Sequence, residues 1–267
     1  MLCAWLLVST SLLAARPPVA AIASAHPLAT QAGMDILSSG GNAFDAAVAL
    51  SAVLAVVEPY SSGLGGGGFW LLHRARDGHE VMVDGRETAP LAATRDMYLD
   101  ADGNPVPGLS VDGALAAGIP GVPAALVHIS RRYGRLPLQQ NLAAAIRLAR
   151  EGFEVDDLYR RMAQFRLTAL QNDMAAADIV LQDDEVPEAG RRIVQAELAA
   201  TLESIARLGE KGFYQGAVAR KLVQGVRAAG GIWSLQDLAQ YRVVERQPVR
   251  GVYRGMRISS AAPPSSG

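Results

Sequence analysis

From residue 43 to residue 57 the chain is apolar at almost every position, with Asp45 as the main exception. A segment that is apolar all round is a helix buried on most of its faces. Asn42 stands where it can cap that helix. Glu58-Pro59 ends it, because the residue before a proline is pushed out of the helical region. Upstream, residues 19–24 are a short apolar run that reads as a buried strand. Pro27 then suits the first turn of a helix that Gly40-Gly41 stops. Downstream the rhythm changes, and residues 69–74 and 80–84 read as two strands joined around Asp77-Gly78. Residues 102–108 are a loop by composition. Helical patterns return at 123–133, 138–150, 156–172, 195–208 and 217–228, with Ile146, Leu148 and Ala149 supplying part of the apolar face of the second. Gly230-Gly231 stops the last of these. Ser234 to Asp237 has the spacing of a capping box, with Asp in place of Glu, and opens a short helix. Residues 243–260 read as paired strands broken by Gly251 and Gly255. Helices interrupted by a few strands, with no internal repeat and no long linker, predict an α/β layered domain.

Composition narrows the function classes. A chain of 267 residues can bury a sizeable core as one domain or two. Half of its residues are hydrophobic and 19% are charged, which excludes general disorder. Its 25 basic and 26 acidic residues are interspersed, so no nucleic-acid surface is implied. Aromatics are 6%, which suits closely packed helices and strands better than an aromatic ligand box. Residues 1–15 are apolar and uncharged, and 2–13 have the length of a signal-peptide core while being too short to span a bilayer as a standard helix. Ala14, Ala15, Ala20 and Ala21 supply small residues for cleavage. The usual basic start is missing, so a buried N-terminal helix stands as the alternative. The expected division is 1–18 as a signal peptide and 19–267 as the mature portion. Cys3, the single cysteine, lies in the segment to be removed, which leaves no disulfide framework and no cysteine metal site. His26, His73, His79 and His128 show no paired ligand spacing. His26, before Pro27, reads as a helix-entry residue. No metal or organic cofactor is implied.

Three places carry candidate chemistry. Gly65 to Gly68 are four consecutive glycines between the buried helix and the first strand. Glycine loses much backbone entropy on folding, so such a run marks positive φ or a close approach. Taken alone it is a helix-to-strand connection before it is a ligand loop. A P-loop is disfavoured, because no Lys-Ser or Lys-Thr follows and the strand-loop-helix order is reversed. Arg86 follows a strand and Asp84-Gly85, where a guanidinium can hold a carboxylate through two parallel hydrogen bonds. The alternative is a surface pair with Glu87 or Asp84. Ser265 and Ser266 sit in Pro263-Pro264-Ser265-Ser266-Gly267, where a turn role outweighs a catalytic one because no partner base is identifiable.

Taken in order, several segments resemble one family. They are His26-Pro27-Leu28-Ala29, Ala32 to Leu37, Gly40 to Ala47, Glu58-Pro59, the glycine run, Asp84 to Pro90, Gly118 to Pro123 and the terminal Pro-Pro-Ser-Ser-Gly. The series resembles the large-subunit part of gamma-glutamyltranspeptidases, from about Val19 onward. The resemblance implies the four-layer αββα sandwich of N-terminal nucleophile hydrolases, here incomplete. It implies that Arg86 binds the α-carboxylate of a gamma-glutamyl donor such as glutathione, with water or an amino acid as acceptor. It implies a nucleophilic threonine at the start of a small subunit cut from the same precursor. That threonine would lie beyond Gly267, since Thr10, Thr30, Thr88, Thr94, Thr168 and Thr201 are in other contexts. The chain alone is therefore expected to be inactive. The resemblance gives Ser265 and Ser266 a structural role and implies export to the periplasm or medium, with no stable membrane span. A related cephalosporin or glutaryl acylase, or a non-catalytic assembly partner with the same fold, are the other readings.

Overall fold

The computed structural model of the chain describes residues 20–266, so the expected signal peptide at 1–18 and Cys3 lie outside the described residues. Residues 20–24 are irregular and join no sheet, which corrects the strand expected there. Ile22 instead packs with Ile36, Ala46 and Ala49, so the apolar run is a plug against helices and has no ladder partner.

Helix α1 spans Pro27–Ser38 and is capped by His26, whose Nδ1 accepts from the Leu28 N–H at 3.1 Å. Helix α2 spans Ala43–Val57 and opens with a full capping box between Asn42 and Asp45. Asp45 is fully buried. It accepts from Asn42 N at 3.0 Å, Arg135 N at 2.9 Å, Leu136 N at 3.3 Å and Asn141 Nδ2 at 2.9 Å. One carboxylate thus joins the start of α2 to the turn between α3, Val122–Tyr133, and α4, Leu138–Glu151.

Strands β1, Gly68–Arg74, and β2, His79–Gly85, form the expected hairpin, with Gly78 at φ 67° in its turn. Further on come short β3, Phe153–Glu154, then α5, Asp157–Gln171, and α6, Met174–Val180. Short β4, Arg192–Ile193, pairs with β3 and precedes α7, Ala196–Leu208, α8, Lys211–Tyr214, and α9, Gly216–Ala228. Ser234 and Asp237 cap α10, Leu235–Gln240, as the capping-box spacing predicts. Strand β5, Val244–Arg246, then joins β2 to give an antiparallel sheet in the order β1-β2-β5. Strands β6, Val249–Tyr253, and β7, Met256–Ser260, form a separate hairpin. Gly251 sits inside β6 opposite Ile258, so only Gly255, at φ 78°, interrupts the pairing.

Side chains alternate across the sheet. Trp70, Leu72, Val81 and Val83 face α2 and α3 and belong to the main core. Met82 and Asp84 face the other way. The β6–β7 hairpin is tied to that side, through Ser259 Oγ to Glu80 at 2.9 Å and Arg250 to Glu80 at 3.1 Å. A helical layer on a sheet, with a hairpin across its far face, is the layered α/β arrangement expected.

Candidate functional site

Arg86 follows directly on β2, and both of its peptide groups are held. Its N–H donates to Asp84 Oδ1 at 3.0 Å, and its carbonyl accepts from the Tyr241 hydroxyl at 2.8 Å. The side chain stays outside and is 63% exposed, with Nε 3.1 Å from Glu87 Oε2. The structure therefore makes the Arg86–Glu87 contact that the sequence offered as the surface alternative. Asp84 pairs instead with Arg246, Nε to Oδ2 at 2.7 Å. An exposed ion pair between neighbouring residues contributes little to stability. It leaves the guanidinium exchangeable with an outside carboxylate.

Glu87 also lines a cavity of about 580 Å³ that includes Tyr60, Ser61, Ser62, Gly63, Trp70 and Gly65 to Gly67. Trp70 Nε1 donates to Ser51 Oγ, also in the wall, at 3.3 Å. Burial, then the charges of Glu58 and Asp156, push the Tyr60 hydroxyl up to about 12. It is a neutral group at any ordinary pH.

None of Gly65 to Gly68 has positive φ, so turn geometry does not explain the run; close approach accounts for Gly67, whereas Gly65 has nothing nearby. A Cβ on Gly67 would lie 2.5 Å from Glu87 Oε2 and 2.7 Å from Glu87 N. The Gly66 carbonyl accepts from Gly121 N at 2.9 Å and Val122 N at 3.1 Å. Gly121 in turn leaves room for two oxygens, since a Cβ there would run into the Gly85 carbonyl and the Tyr241 hydroxyl. Thr88 and Ile119 exchange backbone hydrogen bonds at 3.2 and 2.8 Å. The glycine run, the arginine segment and the Gly118–Pro123 turn are far apart in sequence, yet they meet around Arg86 and Glu87.

The other candidates lie elsewhere. Ser265 N closes a turn onto the Ala262 carbonyl at 3.0 Å, and Ala262 N points at Met82 Sδ at 3.2 Å. Neither Ser265 nor Ser266 is among the residues lining the cavity. His128 Nε2 lies 2.8 Å from Glu245, and His73 Nδ1 lies 3.3 Å from Glu80. Among the described residues no group of three or more His, Cys, Asp or Glu is placed to hold a metal. Sequence reasoning treated Glu87 merely as a salt-bridge partner and passed over Tyr241. The glycine run was the available signal for Glu87, because something had to approach it. Nothing local points to Tyr241, whose partner is 155 residues away.

A sequence profile of gamma-glutamyltranspeptidases matches residues 29–267. The chain belongs to the gamma-glutamyltranspeptidase family. It is similar to the glutathione hydrolase proenzyme of Escherichia coli (strain K12), at 43% identity over 92% of this chain and 42% of that protein. Its fold matches the crystal structure of Helicobacter pylori gamma-glutamyltranspeptidase with a TM-score of 0.91 at 42% identity, over 94% of this chain and 72% of that one. The cephalosporin acylase of Bacillus halodurans is also similar, with a TM-score of 0.76 at 31% identity, over 88% of this chain and 44% of that one. The chain thus spans under half the length of the E. coli proenzyme. In this gamma-glutamyltranspeptidase chain, three of the segments that carried the resemblance, the glycine run, Asp84 to Pro90 and Gly118 to Pro123, converge on Arg86 and Glu87. Among the described residues no helix is long and apolar enough to cross a membrane.

Proposed function

We propose that this gamma-glutamyltranspeptidase chain is the large-subunit portion of an enzyme that moves the gamma-glutamyl group of glutathione or a related amide to water or to an amino-acid amine. Arg86 is the residue that reads the donor's α-carboxylate. The observation that carries this reading is its geometry: an exposed guanidinium on a main chain held from both sides, in contact with Glu87, which lines the cavity. A planar guanidinium offers a carboxylate two parallel donors.

The nucleophile in this proposal is a threonine leading a small subunit cut from the same precursor, with its own amine as general base. Its hydroxyl attacks the γ-carbonyl, and the departing amide nitrogen takes a proton and leaves. The resulting ester is then opened by water or an amine. This chain contributes binding and orientation, so the 267 residues alone are inactive toward a gamma-glutamyl anilide. Residues 1–18, apolar and uncharged as far as residue 15, serve as an export signal, and residues 19–267 act in the periplasm or medium.

The test is Arg86→Lys in the assembled enzyme, assayed with donors that carry and lack the α-carboxylate. Loss of the two-point contact should weaken binding of the first by about tenfold to a hundredfold and leave the second unchanged. Equal penalties for both donors would return Arg86 to a surface salt bridge. The similarity to the Bacillus halodurans acylase supports a second reading, in which the acyl group is a glutaryl one. Glutaryl lacks only the α-amino group and keeps the carboxylate, so Arg86→Lys would weaken that donor as well; the two readings separate on the unmodified assembled enzyme, which would prefer a glutaryl anilide to a gamma-glutamyl anilide under the second reading.

A further inference from the structure

Arg86 is held through its backbone, and the groups that hold it come from two separate elements. Asp84, 6% exposed, bonds the Arg86 N–H through Oδ1 while Oδ2 receives Arg246 Nε from β5 at 2.7 Å. Met82 faces Arg246 in the ladder and Asp84 faces Val244, so Arg246 reaches Asp84 along a diagonal on one face of the sheet. On the other side, Tyr241, 6% exposed, bonds the Arg86 carbonyl. Its ring lies flat on Tyr214, with centroids 5.4 Å apart and planes 6° from parallel. The Tyr214 hydroxyl donates to the Pro120 carbonyl at 2.8 Å and accepts from Ala124 N at 3.3 Å. The hydroxyl that reaches Arg86 is therefore anchored through a ring stack to the start of α3.

We propose that Tyr241 and the Asp84–Arg246 pair are positioning residues for Arg86, clamping the peptides on either side of it so that its side chain leaves the main chain in one direction. The proposal rests on the reading of Arg86 as the carboxylate-binding residue. An arginine side chain carries large rotamer entropy, and a mobile main chain beneath it would add to what binding must order. Fixing both peptides removes that part before the donor arrives. The Tyr241 hydroxyl suits the role because burial, followed by the charges of Asp84 and Glu87, holds its pKa well above the ordinary phenol range. It stays a donor throughout the working pH range.

The experiment uses Tyr241→Phe in the assembled enzyme, which removes one hydroxyl and keeps the ring on Tyr214. The expected result is a KM raised about threefold to tenfold for a donor with its α-carboxylate. kcat should be little changed, and a donor without that carboxylate should feel no effect. In an Arg86→Lys background the same substitution should have little further effect. Arg246→Met supplies a second variant if Tyr241→Phe does not assemble, and should give the same split between donors. A penalty shared by both donors, or none with either, would overturn the positioning role even where Arg86→Lys alone discriminates between them. If Arg86→Lys itself fails to discriminate, the underlying reading of Arg86 falls instead.

Discussion

Asp45 and Arg86 hold their surroundings in opposite ways. Asp45 lies wholly inside, and its carboxylate receives four N–H groups from three chain segments. Every polar atom of that side chain works for the fold. At Arg86 the bonds to the fold are made by the main chain, through Asp84 and Tyr241, while the side chain is 63% exposed and touches Glu87. The difference separates a residue that the structure needs from a residue that the structure presents. A buried charge with its partners cannot be removed without stranding them. An exposed charge on a fixed backbone can be changed with little effect on folding.

The largest expected effect tests that contrast directly. Asp45→Ala strands the N–H groups of Asn42, Arg135, Leu136 and Asn141, and should cost about 3–5 kcal/mol of stability. Arg86→Ala should stay within about 0.5 kcal/mol of the parent. Urea unfolding of both variants in the same assembled protein measures this, and similar losses would end the distinction. A second comparison concerns two glycines. Gly121→Ala drives a methyl group into the Gly85 carbonyl and the Tyr241 hydroxyl, and should cost about 1–3 kcal/mol. Gly225, in α9, has nothing within 4 Å of the added Cβ, and Gly225→Ala should stabilise by about 0.4–1 kcal/mol. Paired melting curves would show opposite shifts. A loss at Gly225 as large as that at Gly121 would remove close approach as the explanation.

The smallest effect concerns Glu245, which joins β5 to α3 through Tyr133 Oη at 2.5 Å, His128 Nε2 at 2.8 Å and Arg132 Nε at 3.1 Å. Burial raises its pKa, but the hydrogen bonds from Tyr133 and His128 and the charge of Arg132 outweigh that and leave it lowered. A carboxyl whose folded pKa is lowered stabilises the protein above its unfolded value, about 4.3. That stabilisation is lost as pH falls through the folded value. Glu245→Gln should therefore cost about 1 kcal/mol near neutrality, and the gap from the parent should close as pH falls below about 4. A gap that persists at acid pH would mean that Glu245 acts by shape alone. The same network is an interior tie of the Asp45 kind, only shallower, which is why its effect ranks last.

Much of this was legible in local pattern. The helix at 43–57 follows from an apolar segment with Asn42 before it and Glu58-Pro59 after it, and the structure places α2 at those bounds. The long helices α3, α4, α5, α7 and α9 were set within a residue or so by their periodicity and end signals. The run at residues 19–24 misled because an apolar stretch says that something is buried, not that a neighbouring strand exists to pair with it. Strands β3 and β4 are two residues each, and α8 is four, too short for any period to show. Arg86 became a candidate through resemblance, since its position alone favours the surface pair with Glu87 that the structure shows. Tyr241 was not, because a hydroxyl reaching a carbonyl 155 residues away leaves no mark in either segment.

Helix α3 begins beside Arg86, and a helix start carries roughly half a positive charge with unpaired N–H groups that attract anions. Here that end is closed. The Gly121 and Val122 N–H groups both point at the Gly66 carbonyl, Pro123 has none to offer, and the Ala124 N–H meets the Tyr214 hydroxyl. The glycine run therefore does electrostatic work: its carbonyl quenches a rival anion site next to the cavity. A gamma-glutamyl peptide carries more than one carboxylate, and two competing attractors would let it settle in more than one orientation. On the proposed reading of Arg86, a helix end occupied by the protein's own oxygens leaves that guanidinium to select which carboxylate is seated.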